Sequence, residues 1–395
     1  MKHQPYNHLL IALVAWLFPA TVSAQYAYTV NADNTTITIT GMTSYNGWGG
    51  SVTIPDTIDG YVVTAIGASA FAGIAWGIEN FQIVNLPNSI TNIGPYAFYF
   101  SGLSVINLPD GLTTIGTCAF GEDGLTTVTI PQNATNIGTG ILAGCPGLTH
   151  IEVAELNPSL TSIDGVLFDK SRTTLIQYPG GMAAAFYEVP NTVVKIGASA
   201  FYRCDNLRRV RMMNGVKVIG DSAFENCLSL AIVQMPASVS QIADGAFFRC
   251  ENLTSITIPA GVTNLGTYAF ADCFGLQNVF FQGNAPAGDR SVFGADNGTA
   301  YYLPGTTGWE AIFCGWPTAL WNPQLQTADG SFGVSSNQFG FNINWASGQT
   351  VVVEASPDLV NWQPLQTNTL TTGSAYFSDP LWTNYPNRFY RVRSP

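Results

Sequence analysis

Apolar residues along the middle of the chain recur with a period of 22 or 23 residues. The clearest unit runs from Leu253 to Cys273 and reads LTSITIPAGVTNLGTYAFADC. Its first part, L-x-x-I-x-I, alternates apolar and polar positions, which predicts a strand with one buried face. The Pro that follows ends the strand because it has no N–H for a ladder. The Ala-Phe-x-x-Cys segment is then expected to form a short helical or irregular turn, with Phe filling the core.

The same unit returns many times in register, and the hexapeptide IGASAF even occurs twice. A fixed period in the twenties predicts a solenoid, because one unit cannot bury its apolar edge unless units stack. We therefore expect a β-rich solenoid of leucine-rich repeats with one parallel strand per unit. The Phe positions are Phe71, Phe98, Phe120, Phe201, Phe224, Phe247 and Phe270.

The spacing IP-x-x-V-x-x-IG-x-x-AF-x-x-C-x-x-L resembles that of the BspA-like leucine-rich repeat proteins of bacteria, over roughly residues 50–285. Members of that family are mostly secreted or exposed on the cell surface, and some are implicated in adhesion. The resemblance thus implies a solenoid fold and an extracellular binding role. It implies no particular ligand, since a solenoid is a scaffold for many partners.

The remaining segments divide the chain further. Residues 1–24 are expected to be a signal peptide, with Lys2 before an apolar run and Val22-Ser23-Ala24 before the cut. Residues 25–54 are expected to form capping strands, 55–285 the solenoid with a hairpin insertion at about 157–179, and 286–323 a C-terminal cap. Residues 325–395 contain short alternating runs separated by turns, which predicts a small antiparallel sandwich-like module.

Composition narrows the class of partner. The net charge is −11 and only 10% of residues are charged, so a nucleic-acid partner is not expected. After signal cleavage no run is long enough to span a membrane, so the protein should be secreted, extracellular or on the cell surface, with the periplasm left open. We expect a monomer that binds an extracellular protein or glycan.

No catalytic, metal or cofactor site is assigned, and the chain is not expected to be an enzyme. Cys145 and four further cysteines share one repeat position, which favours a buried structural ladder over metal ligands and leaves disulfides open. His150 is the one histidine outside the signal peptide, and no nucleophile motif surrounds it. The four at 23-residue spacing are Cys204, Cys227, Cys250 and Cys273.

The outward positions of the predicted strands form the candidate partner-binding face. Arg209 and Arg211 are its most strongly charged spot, beside Ile232 and Gln234, and they favour an acidic partner such as a carboxylated glycan or an acidic protein loop. The full set is Asn107, Thr127, Thr129, His150, Glu152, Arg209, Arg211, Ile232, Gln234, Ser255, Thr257, Asn278 and Phe280.

Two other functions stay open from the sequence. The protein could be an accessory or catalytic component of a polysaccharide-active enzyme, with an acid–base pair in the last module. It could also be a purely structural envelope protein. The carboxylates available in the last module are Asp329, Glu354, Asp358 and Asp379.

Overall fold

A computed structural model describes residues 25–44, 50–73 and 81–395. The chain forms a β-solenoid of about 11 turns with nearly no helix, followed by antiparallel sheets. The expected fold class is therefore confirmed. The expected signal peptide lies outside the described residues.

One side of the solenoid is a row of parallel strands, here called the front row. It carries the L-x-x-I-x-I part of each unit, and it falls into four hydrogen-bonded sets. The sets are Gly50–Thr53, Phe81–Asn85 and Val105–Asn107; Thr127–Ile130 and His150–Val153; Phe186–Val189, Arg209–Met212 and Ile232–Gln234; and Ser255–Ile258, Asn278–Phe281, Thr299–Tyr302 and Trp316–Leu320.

A second row of shorter parallel strands lies where each unit reads Ile-Gly. Most of its strands are only two residues long, too short for an alternating pattern to reveal. An N-terminal hairpin closes this row at its first end. The strands are Gln25–Val30, Thr36–Ser44, Thr57–Ile58, Tyr61–Ile66, Asn92–Ile93, Thr114–Ile115 and Asn136–Ile137, then Lys195–Ile196, Val218–Ile219 and Gln241–Ile242.

The Gly of Ile-Gly is required because successive turns approach closely at this corner. A Cβ added at Gly116 would lie 2.3 Å from the backbone nitrogen of Pro95, a distance that no side chain tolerates. The third side of the solenoid is an irregular turn, which is hydrogen-bonded to the next turn through its backbone. Phe98 N–H, for example, donates to the Ala119 carbonyl at 2.8 Å. These bonds satisfy the backbone where no regular strand exists.

The phenylalanines of the Ala-Phe motif stack into a ladder inside the solenoid. Phe224 lies between Phe201 and Phe247, with ring centroids 4.7 and 5.1 Å away, and all three are fully buried. The ladder continues at both ends of the second half, from Tyr178 to Trp316. Each turn thus contributes one ring to a continuous column, as the repeat pattern predicts.

An antiparallel segment interrupts the repeats in the middle of the solenoid. Its strands are Leu160–Ile163, Val166–Asp169 and Thr174–Gln177, and the last of them pairs in parallel with the next second-row strand. The buried core divides at this point. Leu167 packs with the residues before the segment and Val166 with those after it. The solenoid therefore consists of a first half and a second half with separate cores.

The last turns lead into the C-terminal module, residues 324–395. Ile312–Phe313 pairs antiparallel with the final front strand. Two antiparallel sheets then pack around Phe341, Val353 and Phe377. One sheet contains Gln324–Leu325, Gly333–Ser335, Gln338–Asn344 and Ser374–Asp379; the other contains Thr350–Ser356, Gln363–Thr369 and Phe389–Arg393; short 3-10 turns lie at Arg290–Val292 and Trp382–Asn384.

Candidate partner-binding face

The outward side chains of the front row form a surface that we call the front face. Alternation along each strand creates it, because successive side chains of a strand point to opposite sides. In Arg209–Met212, both Arg side chains are exposed while Val210 and Met212 are buried. Every residue named as a candidate from the sequence is exposed or half-buried on this face.

The antiparallel segment divides these candidates into two groups. The first group lies on the first half of the solenoid, where Thr129 Oγ1 donates to Glu152 at 3.1 Å, and where His150 packs against Gly165 of the insertion. The second group lies on the second half and contains both arginines. The first group is Asn107, Thr127, Thr129, His150 and Glu152, and the second is Arg209, Arg211, Ile232, Gln234, Ser255, Thr257, Asn278 and Phe280.

The arginine spot contains two residues that the sequence reading did not include. Strand Phe186–Val189 pairs with Arg209–Met212 so that Phe186 faces Arg209 and Glu188 faces Arg211. The Arg211 Nη1 atom lies 3.2 Å from Glu188 Oε2, so one of the two positive charges is paired. The spot is less positive than the arginines alone indicate.

Arg209 has a more specific environment. Its guanidinium lies 5.4 Å from the ring centroid of Phe186, and its Nη2 atom donates to Gln234 Oε1 at 2.9 Å. Both contacts hold the guanidinium in one place on the face, because a planar cation stacks on an aromatic ring and donates through a rigid fork. The run Phe-Tyr-Glu-Val-Pro could have identified Phe186, since it has the strand-then-Pro pattern. The insertion just before it obscured the register.

The far end of the front face is aromatic. Phe280, Tyr301 and Trp321 cluster there beside Asn278, with Phe280 and Tyr301 directly opposite each other on paired strands. Tyr301 and Trp321 were missed from the sequence because their segment was assigned to a cap. The Thr299–Tyr302 and Trp316–Leu320 strands in fact extend the front row.

The carboxylates of the C-terminal module do not form an acid–base pair with suitable titration behaviour. A hydrogen bond from Arg393, reinforced by Arg391, lowers the pKa of Glu354 below its ordinary value. Hydrogen bonds within their own turns lower the pKa of Asp329 and of Asp358. A glycosidase acid needs a raised pKa, so these three groups are unsuited to that role.

The cysteines are structural in their contacts. The Cys227 thiol donates to the Phe201 carbonyl at 2.9 Å, and Cys250 and Cys273 repeat the contact one turn further on. Burial raises the pKa of Cys227 to about 12. None of the seven cysteines is in a disulfide. Within the described ranges, no three His, Cys, Asp or Glu side chains come together in a way that could hold a metal ion.

In the part of the chain that the structure describes, no helix has the length and apolar character needed to cross a bilayer. A search of curated proteins found no match. The match that carries weight comes from a family model, the BspA type leucine rich repeat region, which matches residues 50–176 and 182–297 in 6 copies.

Solved structures give the same fold. The pneumococcal vaccine antigen PcpA matches at 18% identity with a TM-score of 0.53, over 72% of this chain and 95% of that one. A leucine-rich repeat protein from Eubacterium ventriosum matches at 21% identity with a TM-score of 0.49, over 65% of this chain and 83% of that one. A leucine rich cell surface protein from Faecalibacterium prausnitzii matches at 25% identity with a TM-score of 0.41, over 65% and 87%.

The matched model covers more than half of the chain and describes a repeat region rather than a catalytic domain. Its boundaries enclose the units that carry the Ile-Gly and Ala-Phe motifs. This chain therefore belongs to the BspA-type leucine-rich repeat family.

Proposed function

We propose that this protein is a secreted or cell-surface binding scaffold with a role in adhesion, and that its front face holds an extracellular partner. One observation carries the proposal. Arg209 stacks over Phe186 in the second half of the solenoid, where Phe186 is 47% exposed and the neighbouring Ile232 is 49% exposed. Arginine beside exposed apolar side chains is a composition enriched at the energetic centres of interfaces.

The chemistry of the spot favours a partner that carries a carboxylate. Arg209 is neutralised by no acidic side chain among the described residues, and its contacts are to a ring and to an amide. Arg211 can exchange its exposed pairing with Glu188 for another acid at little cost, because exposed ion pairs contribute only about 0–1 kcal/mol. A carboxylated glycan or an acidic protein loop would satisfy both arginines.

The test uses the full-length secreted protein on arrays of glycans and extracellular proteins. The double variant Arg209→Ser/Arg211→Ser should bind the partner found there at least about tenfold more weakly, as expected for loss of an interface centre. Binding by the parent should also weaken with added salt, because the contact is between charges. The melting temperature should be nearly unchanged.

A charge-matched control keeps this test specific. Arg249→Ser/Lys217→Ser removes two positive charges that lie on exposed side chains outside the front row. It should bind as the parent does. Equal binding by the parent and the Arg209/Arg211 variant would mean that the arginines are only a solvated surface.

A further inference from the structure

We propose that the cleft between the last solenoid turns and the C-terminal module binds a neutral oligosaccharide. The cleft has a volume of about 460 Å³, within the range of small-molecule sites. Phe280, Tyr301 and Trp321 supply its aromatic surface, and Asn278, Gln326 and Asn344 supply amide groups. This site goes beyond the proposed function, because it involves neither arginine of the front face and would take an uncharged ligand.

The aromatic wall is built by the strand register. Phe280 and Tyr301 are opposite each other on parallel strands, with ring centroids 5.1 Å apart and planes inclined by 22°. The Trp321 ring lies 4.8 Å from Phe280, and its backbone N–H donates to the Tyr302 carbonyl at 2.7 Å. All three rings are half-buried, so part of each remains open to a ligand.

The C-terminal module fixes the other wall. Trp345 is buried in the core of the module, and its indole Nε1–H donates to the Trp321 carbonyl at 2.7 Å. Asn344 immediately precedes Trp345 and is exposed at the cleft. The contact joins solenoid and module at the cleft, so the aromatic and amide groups are held in place before a ligand arrives. Such preorganisation lowers the entropic cost of binding.

The lining chemistry selects the ligand class. No Asp, Glu, Lys or Arg is among the described residues that line the cleft. The side-chain amides of Asn278, Gln326 and Asn344 make no hydrogen bond within the described part of the chain, and each offers two donors and an acceptor. A pyranose presents apolar C–H surface, which packs on aromatic rings, and hydroxyl groups, which pair with amides.

Two other ligands fit less well. A quaternary ammonium ion would stack on the rings, but the described lining contains no carboxylate to balance its charge. A peptide that binds by adding a strand needs an unpaired strand edge, whereas the strand that carries Tyr301 is hydrogen-bonded to a neighbour on both sides. The geometry therefore favours a neutral sugar chain over both.

The experiment titrates the full-length protein with cello-, xylo-, manno- and galacto-oligosaccharides and follows tryptophan fluorescence and heat. At least one of them should bind saturably, with an affinity unchanged between about 0.05 and 0.5 M NaCl because the ligand is uncharged. Tyr301→Ala and Asn344→Ala should each weaken binding, the former by at least about tenfold. Tyr268→Ala, which removes an exposed ring elsewhere on the solenoid, should not.

Several results would overturn this site. They are no saturable binding by the parent, binding that both cleft variants retain, and stronger binding of tetramethylammonium or of an acidic peptide at the same place. The Arg209→Ser/Arg211→Ser protein should still bind the sugar. Loss of sugar binding in that variant alone would assign the ligand to the front face, so the two proposals can fail separately.

Discussion

The two halves of the solenoid share a fold but fill one repeat position differently. In the second half, the position three residues after Phe is Cys in four consecutive turns, and at least three of these thiols donate to a carbonyl of the turn before at normal distances. In the first half the same position holds Ser101, then Asp123, and then Cys145. The difference shows what this position requires. It needs a small side chain that can bond to the backbone of the preceding turn.

Asp123 fulfils the requirement with the opposite polarity. Its Oδ1 atom accepts hydrogen bonds from the backbone N–H groups of Ser101, Gly102 and Leu103, at 2.8 to 3.2 Å. Its Oδ2 atom is buried and has no partner among the described residues. Desolvation outweighs the donors and raises the pKa of Asp123 to about 7. A thiol is neutral in this position, whereas the carboxyl group is neutral only below that pH.

The largest expected effect tests whether the two ring columns are equivalent. Phe224→Ala in the second half and Phe98→Ala in the first should each lower the free energy of unfolding by about 3–5 kcal/mol, because each removes a fully buried ring. Denaturant melts measure this. Phe274→Ala, at a ring that is 70% exposed, is the control and should change little. A loss below about 1 kcal/mol at Phe224 would mean that the ring is not part of the core.

The next effect separates the halves by pH. Because the pKa of Asp123 is about 7 in the folded state against an ordinary 3.8, the folded chain holds a proton that the unfolded chain releases between these values. Stability from this group is therefore present at about pH 4 and is lost as the pH rises through 7. The loss should be on the order of 2–4 kcal/mol.

Asp123→Asn keeps an acceptor oxygen and removes the titration, so its unfolding free energy should exceed that of the parent above pH 7. The difference should shrink at acid pH. Melts of both proteins between pH 4 and pH 8 measure it. Parallel pH profiles of the two proteins would contradict the assignment.

The smallest effect concerns the thiol ladder. Cys227→Ala removes the donor to the Phe201 carbonyl and leaves that acceptor unpaired, which should cost about 1–3 kcal/mol. Because burial raises the pKa of Cys227 to about 12, the native thiol should resist alkylation at neutral pH and react only after unfolding. Mass spectrometry of alkylated protein reads this directly. Stoichiometric zinc in the parent that the variant loses would instead make the ladder a metal site.

Much of the architecture follows from local pattern. Alternation in runs such as Ser-Ile-Thr-Ile, the recurring Ile-Gly corner and the Ala-Phe position were enough to predict stacked turns with Phe inside. These signals are readable because each lies within one unit and repeats. The second row was not predicted, since strands such as Asn92–Ile93 are two residues long and carry no alternation.

The candidate site was only partly readable for a related reason. The exposed positions of regular units were identified from their spacing, but Phe186 and Glu188 come after the insertion, where the period restarts. Their contacts with Arg209 and Arg211 depend on which strands become neighbours. The Trp321–Trp345 contact joins residues 24 apart that belong to different sheets, and no motif announces it.

The sequence by itself determined the repeat, the core-facing side of each strand and the family, because these depend on the order of residues within a unit of about 23. Only the tertiary structure decided how charges and rings meet across units. It pairs Arg211 with Glu188, closes the aromatic cleft with Trp345 and buries Asp123 against three backbone N–H groups. Stacking brings together residues that are distant along the chain, and the strength of a charge or a hydrogen bond depends on that neighbourhood.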